Sequence, residues 1–199
     1  NPENMRRGYN TSPKVLKEFF DDDEDILVYV DGDDWLAYPD TLERLNKYYN
    51  EKDPWMTYGQ MVVWKGGDEY SWPFPQNSHY PDVVHQNNAY RKDLWRASHL
   101  RTFKWHLYKK IQENSLKYTL TQKYYLHAED LAGSFPCLEM CPAEKIGVLD
   151  FVTYTFNESK SNQIRSQNRI KEAGQTKTHS GITKMEIEIR NQSPYNKIQ

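Results

Sequence analysis

The stretch from Asp25 to Leu36, DILVYVDGDDWL, constrains this chain more than any other. Five consecutive apolar residues, Ile26 to Val30, predict a fully buried strand, which runs directly into Asp31-Gly32-Asp33-Asp34. An unpaired carboxylate inside a low-dielectric core is strongly unfavourable. The three acids therefore belong at the strand's C-terminal end, in the crevice where open α/β sheets bind ligands. Gly32 lets the backbone turn sharply enough for neighbouring carboxylates to converge. Like charges gathered there repel unless a cation joins them. A hard divalent ion, Mn²⁺ or Mg²⁺, takes a few protein carboxylates and leaves positions for phosphate oxygens and water. A calcium loop counted from Asp31 fails, because Leu36 stands where its glycine belongs and Leu42 where its glutamate belongs. The plain alternative is a solvated Asp-Gly turn.

The rest of the pattern alternates between helical and extended periods. Ser12-Pro13 predicts a short helix through Phe20, and DDDED at 21–25 reads as a solvated acidic turn. Asp40 and Glu43 have capping-box spacing, with Leu42, Leu45 and Tyr49 at helical period, so a helix is expected from Asp40 to Tyr49. Trp55 to Tyr58 and Met61 to Trp64 read as strands, followed by a Gly66-Gly67 turn and a return strand at Glu69 to Trp72. Residues 73–87 hold three prolines and two histidines and read as a long ordered loop. Lys104 to Ile111 suggests an amphipathic basic helix, and Leu131 to Met140 another, kinked or begun at Pro136. Ile146 to Phe156 reads as a final strand. Residues 157–199 form a polar extension, partly helical or mobile, in which 184–190 is ambiguous between strand and helix.

A second acidic feature, His127-Ala128-Glu129-Asp130, stands about a hundred residues beyond the first, just before an apolar helix. By itself Glu-Asp in that place reads as a helix cap. With the first motif, it resembles a pair known in one enzyme group. YVDGDDWL after a hydrophobic strand resembles the DXD motif of GT-A glycosyltransferases, in particular family 2, and HAEDLA resembles that family's ED dipeptide. WMTYGQ, QNNAYRKDLWRASHLRTF, FPCLEM and TYTFNE extend the likeness over most of residues 4–158, toward a bacterial and large-virus subgroup.

The resemblance implies a GT-A-like, Rossmann-like α/β domain over residues 1–156, a mixed sheet flanked by helices. The family's opening strands are missing, and the chain starts at Asn1 without an initiator Met, so the domain reads as N-terminally incomplete. It implies a nucleotide-sugar donor, a carbohydrate or glycan acceptor, and Mn²⁺ or Mg²⁺ held by Asp33 with Asp31 and Asp34. Asp31 lies toward the donor as well, and His99, Arg101 and Arg7, beside Arg6, are candidate donor contacts. Asp130 is the expected general base toward the acceptor hydroxyl, with Glu129 as its catalytic neighbour, giving inversion. Relatives often add a late metal-binding histidine; Phe156-Asn157-Glu158-Ser159 has none, and His179 lies in a polar stretch.

Other classes fit less well. A nucleotidyltransferase would use the same carboxylate–metal logic but needs a glycine-rich, basic phosphate loop, which the sequence lacks. A catalytically idle relative that binds carbohydrate or protein through its aromatic surface is the rival from another class. A net charge of −2 with both signs mixed argues against a nucleic-acid partner. Cys137 and Cys141 read as core packing rather than a metal pair. No run of residues reads as a transmembrane span or signal peptide, so the expected location is cytoplasmic or peripheral to a membrane.

Overall fold

The computed structural model describes residues 11–72, 77–125, 127–172 and 183–198. Its order is α1 (Pro13–Leu16), β1 (Ile26–Tyr29), β2 (Trp35–Leu36), α2 (Thr41–Lys52), β3 (Met56–Gly66), β4 (Glu69–Ser71) and α3 (Asp82–Gln86). Then come β5 (Arg101–Lys104), α4 (Trp105–Tyr108), α5 (Glu129–Met140), β6 (Ile146–Asn157), α6 (Lys160–Glu172) and α7 (Lys184–Asn191). The strands form one mixed sheet in the order β1-β5-β3-β6-β2, with β4 folded back on β3. β3 and β6 are parallel, while β1, β2, β4 and β5 each run antiparallel to their neighbours.

Residues alternate across each strand, so the two faces of the sheet make separate cores. Leu27, Met56, Tyr58 and Phe103 pack with α4, α5 and α7 through Leu107, Phe135, Leu138 and Ile189. Ile26 and Val28 turn the other way, toward Leu45 and Tyr49 of α2 and Leu149 of β6. This second face also buries a hydroxyl chain: Tyr49 and Thr57 each contact Thr102, at 2.8 and 2.6 Å. The result is a three-layer α/β/α arrangement. No helix among the described residues is long and apolar enough to cross a membrane.

Several expectations change. The first strand is only partly buried: Leu27 is in the core, but Ile26, Val28 and Tyr29 are intermediate and Val30 is exposed. Its place at the end of the strand order explains this, since both faces are covered but one flank has no neighbour among the described strands. The basic helix expected from Lys104 is instead the end of β5 followed by the four residues of α4. Strand pairing to β1 and β3 keeps residues 101–104 extended, so the helical period holds only over 105–108. The acidic turn at 21–25 is not simply solvated. Asp23 pairs with Lys109, and Glu24 and Asp53 each approach the buried Lys104 ammonium at 2.5 Å.

The first helix stops at Leu16 rather than Phe20. Asp40 precedes α2 without a side-chain cap, and Thr41 Oγ1 instead accepts from the Tyr38 N–H at 3.1 Å. The two strands read at 55–64 are one continuous β3, bent by irregular register against β6. At that bend Gly59 is required, because a Cβ there would collide with the Thr153 hydroxyl. Pro136 lies inside α5, which begins earlier, at Glu129. The ambiguous 184–190 segment is helical, started by Thr183 Oγ1 accepting from the Glu186 N–H at 3.2 Å. The polar extension carries α6 and α7 and ends in 192–198 without regular structure, and α7 packs into the main core through Met185 and Ile189.

Candidate active site

Strand register decides what surrounds the acidic turn. β1 and β5 are antiparallel with Tyr29 opposite Arg101, so the start of β5 lies beside the end of β1. β2 and β6 pair Leu36 with Tyr154, which brings the end of β6 to the far side of the same turn. The N-terminus of α5 completes the enclosure. Together they line a cleft of about 760 Å³, whose walls include Asp31, Asp33, His99, Arg101, Glu129 and Asp130.

The turn is tightly held. The Asp34 N–H donates to the Asp31 carbonyl at 3.0 Å. Tyr154 joins both acids: its hydroxyl donates to Asp34 Oδ2 at 2.9 Å and accepts from the Asp31 N–H at 3.0 Å. Asn157 adds two bonds, from its N–H to Asp34 Oδ1 at 2.8 Å and from Nδ2 to the Asp33 carbonyl at 3.0 Å. Burial pushes the Asp34 carboxyl up, and the bonds from Asn157 and Tyr154 pull against it.

His99 enters this group from β5's leading edge. Its ring stacks on Tyr154 with centroids 4.6 Å apart and planes 10° from parallel. Asn77 fixes the backbone there, accepting from the Ser98 N–H at 3.1 Å and donating to the His99 carbonyl at 3.0 Å. The residue is 8% exposed, and its Nδ1 has no hydrogen-bond partner among the described residues. Burial, reinforced by the Arg101 charge, holds its pKa well below the ordinary histidine value, so the ring is neutral at neutral pH. One ligand atom each from Asp31, Asp34 and His99 lies within 4.8 Å of the others. Asp33 lines the cleft but is not in that trio, and Asp34 is in the trio but set behind the lining. Two carboxylates and a neutral imidazole are donor types that divalent metal ions accept.

The second carboxylate lies in the first turn of α5. Ala128 precedes it in a left-handed conformation, φ 60° and ψ 25°, a rare place for a residue with a Cβ. Arg101 Nη1 donates to Asp130 Oδ2 at 3.3 Å. The arginine side chain is 3% exposed and the aspartate 32%, so a buried cation backs a carboxylate that faces the cleft. A guanidinium committed in this way positions Asp130 rather than standing free on the surface. Glu129 and His127 line the same cleft. Nearby, the Tyr29 and Tyr108 hydroxyls are 2.7 Å apart, and both reach the Thr11 carbonyl. Burial raises the Tyr29 phenol to about 12, which keeps it a neutral hydrogen-bonding group.

The cleft thus brings together Asp31, Asp33, His99, Arg101, Glu129 and Asp130, with Asp34 just behind. Arg6, Arg7 and His179 lie outside the described residues. Residue-by-residue reading missed Tyr154, Asn157 and the lining from α6. The sole sequence signal for the first two was the TYTFNE stretch, where they flank Phe156 without any charge to mark them. Neither the family models nor the curated proteins compared with this chain give a match.

Proposed function

We propose that the chain is a metal-dependent glycosyltransferase that moves a sugar from a nucleotide-diphosphate donor to an acceptor hydroxyl with inversion. The observation that carries this reading is the shared cleft: a carboxylate–imidazole trio and an arginine-backed carboxylate open into one space. Asp31, Asp34 and His99 would hold the cation, with Asp33 beside them at the cleft wall. When bound, the cation supplies charge neutralisation to the departing diphosphate. Asp130 accepts the acceptor hydroxyl's proton at its carboxylate as that oxygen attacks the anomeric carbon. Arg101 fixes the carboxylate's orientation through its Nη1 hydrogen bond.

The direct test is hydrolysis of UDP-, GDP- and dTDP-sugars, with Mn²⁺ and with EDTA. Turnover of at least one donor with Mn²⁺, lost in EDTA, is expected; activity indifferent to EDTA would reject the metal-dependent reading.

Tyr154→Phe gives a separate test of the cation site. Removing the hydroxyl takes away one of the two hydrogen bonds on the Asp34 carboxylate and the acceptor of the Asp31 N–H, while keeping the ring stacked on His99. Loss of an outer-shell partner of this kind weakens metal binding by roughly 10- to 100-fold. Calorimetric Mn²⁺ titration is expected to show that loss with the circular dichroism spectrum unchanged. Wild-type affinity in the variant would mean the turn does not hold the ion.

A further inference from the structure

A histidine that ligates a metal ordinarily has its second ring nitrogen bonded to a carboxylate, a carbonyl or water, and that bond fixes the ring. His99 lacks the device at Nδ1, which is buried and has no partner among the described residues. Its ring is stacked on Tyr154 and Phe156, with centroids 4.6 and 5.9 Å away. Stacking fixes the ring plane, and the backbone must set where in that plane the ring sits. That backbone is held at successive groups. The Leu100 N–H donates to Thr153 Oγ1 at 3.4 Å, and the Leu100 carbonyl accepts from the Gly59 N–H at 3.1 Å. The links on the other side of the ring come from one side chain, Asn77, in the proline-bearing stretch between β4 and α3. Its Oδ1 accepts from the Ser98 N–H at 3.1 Å, and its Nδ2 donates to the His99 carbonyl at 3.0 Å and to the Gly59 carbonyl. An N–H at one end and carbonyls at the other allow a single orientation of the amide. Asn77 is anchored in turn. Gln60 Nε2 donates to its carbonyl at 3.1 Å, and the Tyr58 hydroxyl donates to the next carbonyl, that of Ser78, at 2.8 Å.

From this clamp we infer that Asn77 is a positioning residue for the cation site: it holds the His99 imidazole within reach of Asp31 and Asp34. The inference rests on the reading above in which those three residues bind the ion. Asn77 stands behind the cleft lining and acts through His99, tying the ring's backbone to the bend of β3 at Gly59. Without its amide, the Ser98 N–H and the His99 carbonyl lose their partner together, and the ring loses its register against the two carboxylates. The stretch between β4 and α3 thereby serves the site without a charge or a metal-binding group of its own taking part.

The test is a double-mutant cycle on Mn²⁺ affinity in the full chain, read from the paramagnetic resonance signal of the free ion. Asn77→Ala is expected to weaken binding by roughly 10- to 100-fold, the range for residues that orient a metal ligand, and His99→Ala by at least as much. In the double variant Asn77→Ala is expected to add less than about twofold, because no imidazole remains to be positioned. Asn77→Asp keeps the acceptor for the Ser98 N–H but loses both donated bonds. It is expected to fall with Asn77→Ala, and it takes that variant's place in the cycle if alanine prevents folding. Spin-echo measurements should show nitrogen coupling to bound Mn²⁺ in the wild type, weakened coupling in the Asn77 variants and none in His99→Ala. Wild-type affinity and coupling in the Asn77 variants, or losses that multiply in the double variant, would overturn the role of Asn77 and leave the trio standing. A wild type without nitrogen coupling, or unchanged affinity in His99→Ala, would reject the trio itself and the inference with it.

Discussion

Asp130→Asn is expected to lower sugar transfer by roughly 10²- to 10⁴-fold, the range over which a positioned general base contributes. Asparagine has the same shape, and its carbonyl oxygen can still accept from Arg101 Nη1, so the hydrogen bond at the start of α5 survives. What it lacks is the capacity to take a proton from the acceptor hydroxyl. The loss should therefore fall on kcat for transfer, while Mn²⁺ binding at the trio is kept. The measurement is steady-state transfer kinetics alongside a Mn²⁺ titration of the same protein. Glu129→Gln is the matched control, since Glu129 lies one residue away and lines the same cleft. If Glu129→Gln collapses turnover and Asp130→Asn stays within a few-fold of wild type, the base is Glu129 and the Arg101–Asp130 pair is structural.

The largest effect on stability is expected at Glu139, far from that chemistry. Arg91 and Glu139 form a two-pronged ion pair with side chains 4% and 0% exposed. Nε donates to Oε1 at 2.5 Å and Nη2 to Oε2 at 2.9 Å. The same groups tie down the C-terminal segment: Arg91 Nη1 donates to the Ile189 carbonyl at 2.6 Å, and the Tyr195 N–H donates to Glu139 Oε2 at 3.1 Å. Glu139→Ala leaves a buried guanidinium without its counter-charge, a change that costs about 3–5 kcal/mol. For a chain of this length that corresponds to a fall in Tm of roughly 10 °C. Thermal denaturation should show it, and hydrogen exchange should locate the first loss of protection in 184–198. The double variant Arg91→Met/Glu139→Leu removes both charges together and is expected to recover much of the loss. Equal destabilisation in the single and double variants would show that packing, not the unpaired charge, sets the cost.

The reach and the limits of sequence reading are visible in particular residues. Asp31 to Asp34 had to leave the core because charge cannot be buried unpaired, and that rule needs no knowledge of neighbours. Helix α2 and strand β6 were legible for a similar reason: each carries its own period over ten or more residues. Lys104 misleads because the helical period around it is real but short. Two flanking strands outweigh it, and their positions are written elsewhere in the chain. Arg101 presents the same difficulty from the other side. Nothing local separates a surface arginine from one buried under Asp130.

The amino-acid order alone therefore determined that a strand ends in clustered carboxylates and that a second acidic pair opens an apolar helix. These are consequences of local periodicity and of the cost of burying charge. Packing in three dimensions alone settles that the two meet in one cleft, that His99 comes within reach of Asp31 and Asp34, and that Asn162, Gln163 and Gln167 of α6 line the same space. Those facts depend on the register of β1 against β5 and of β2 against β6. Register is set by packing between segments some seventy to a hundred and twenty residues apart, and no window along the chain contains both partners.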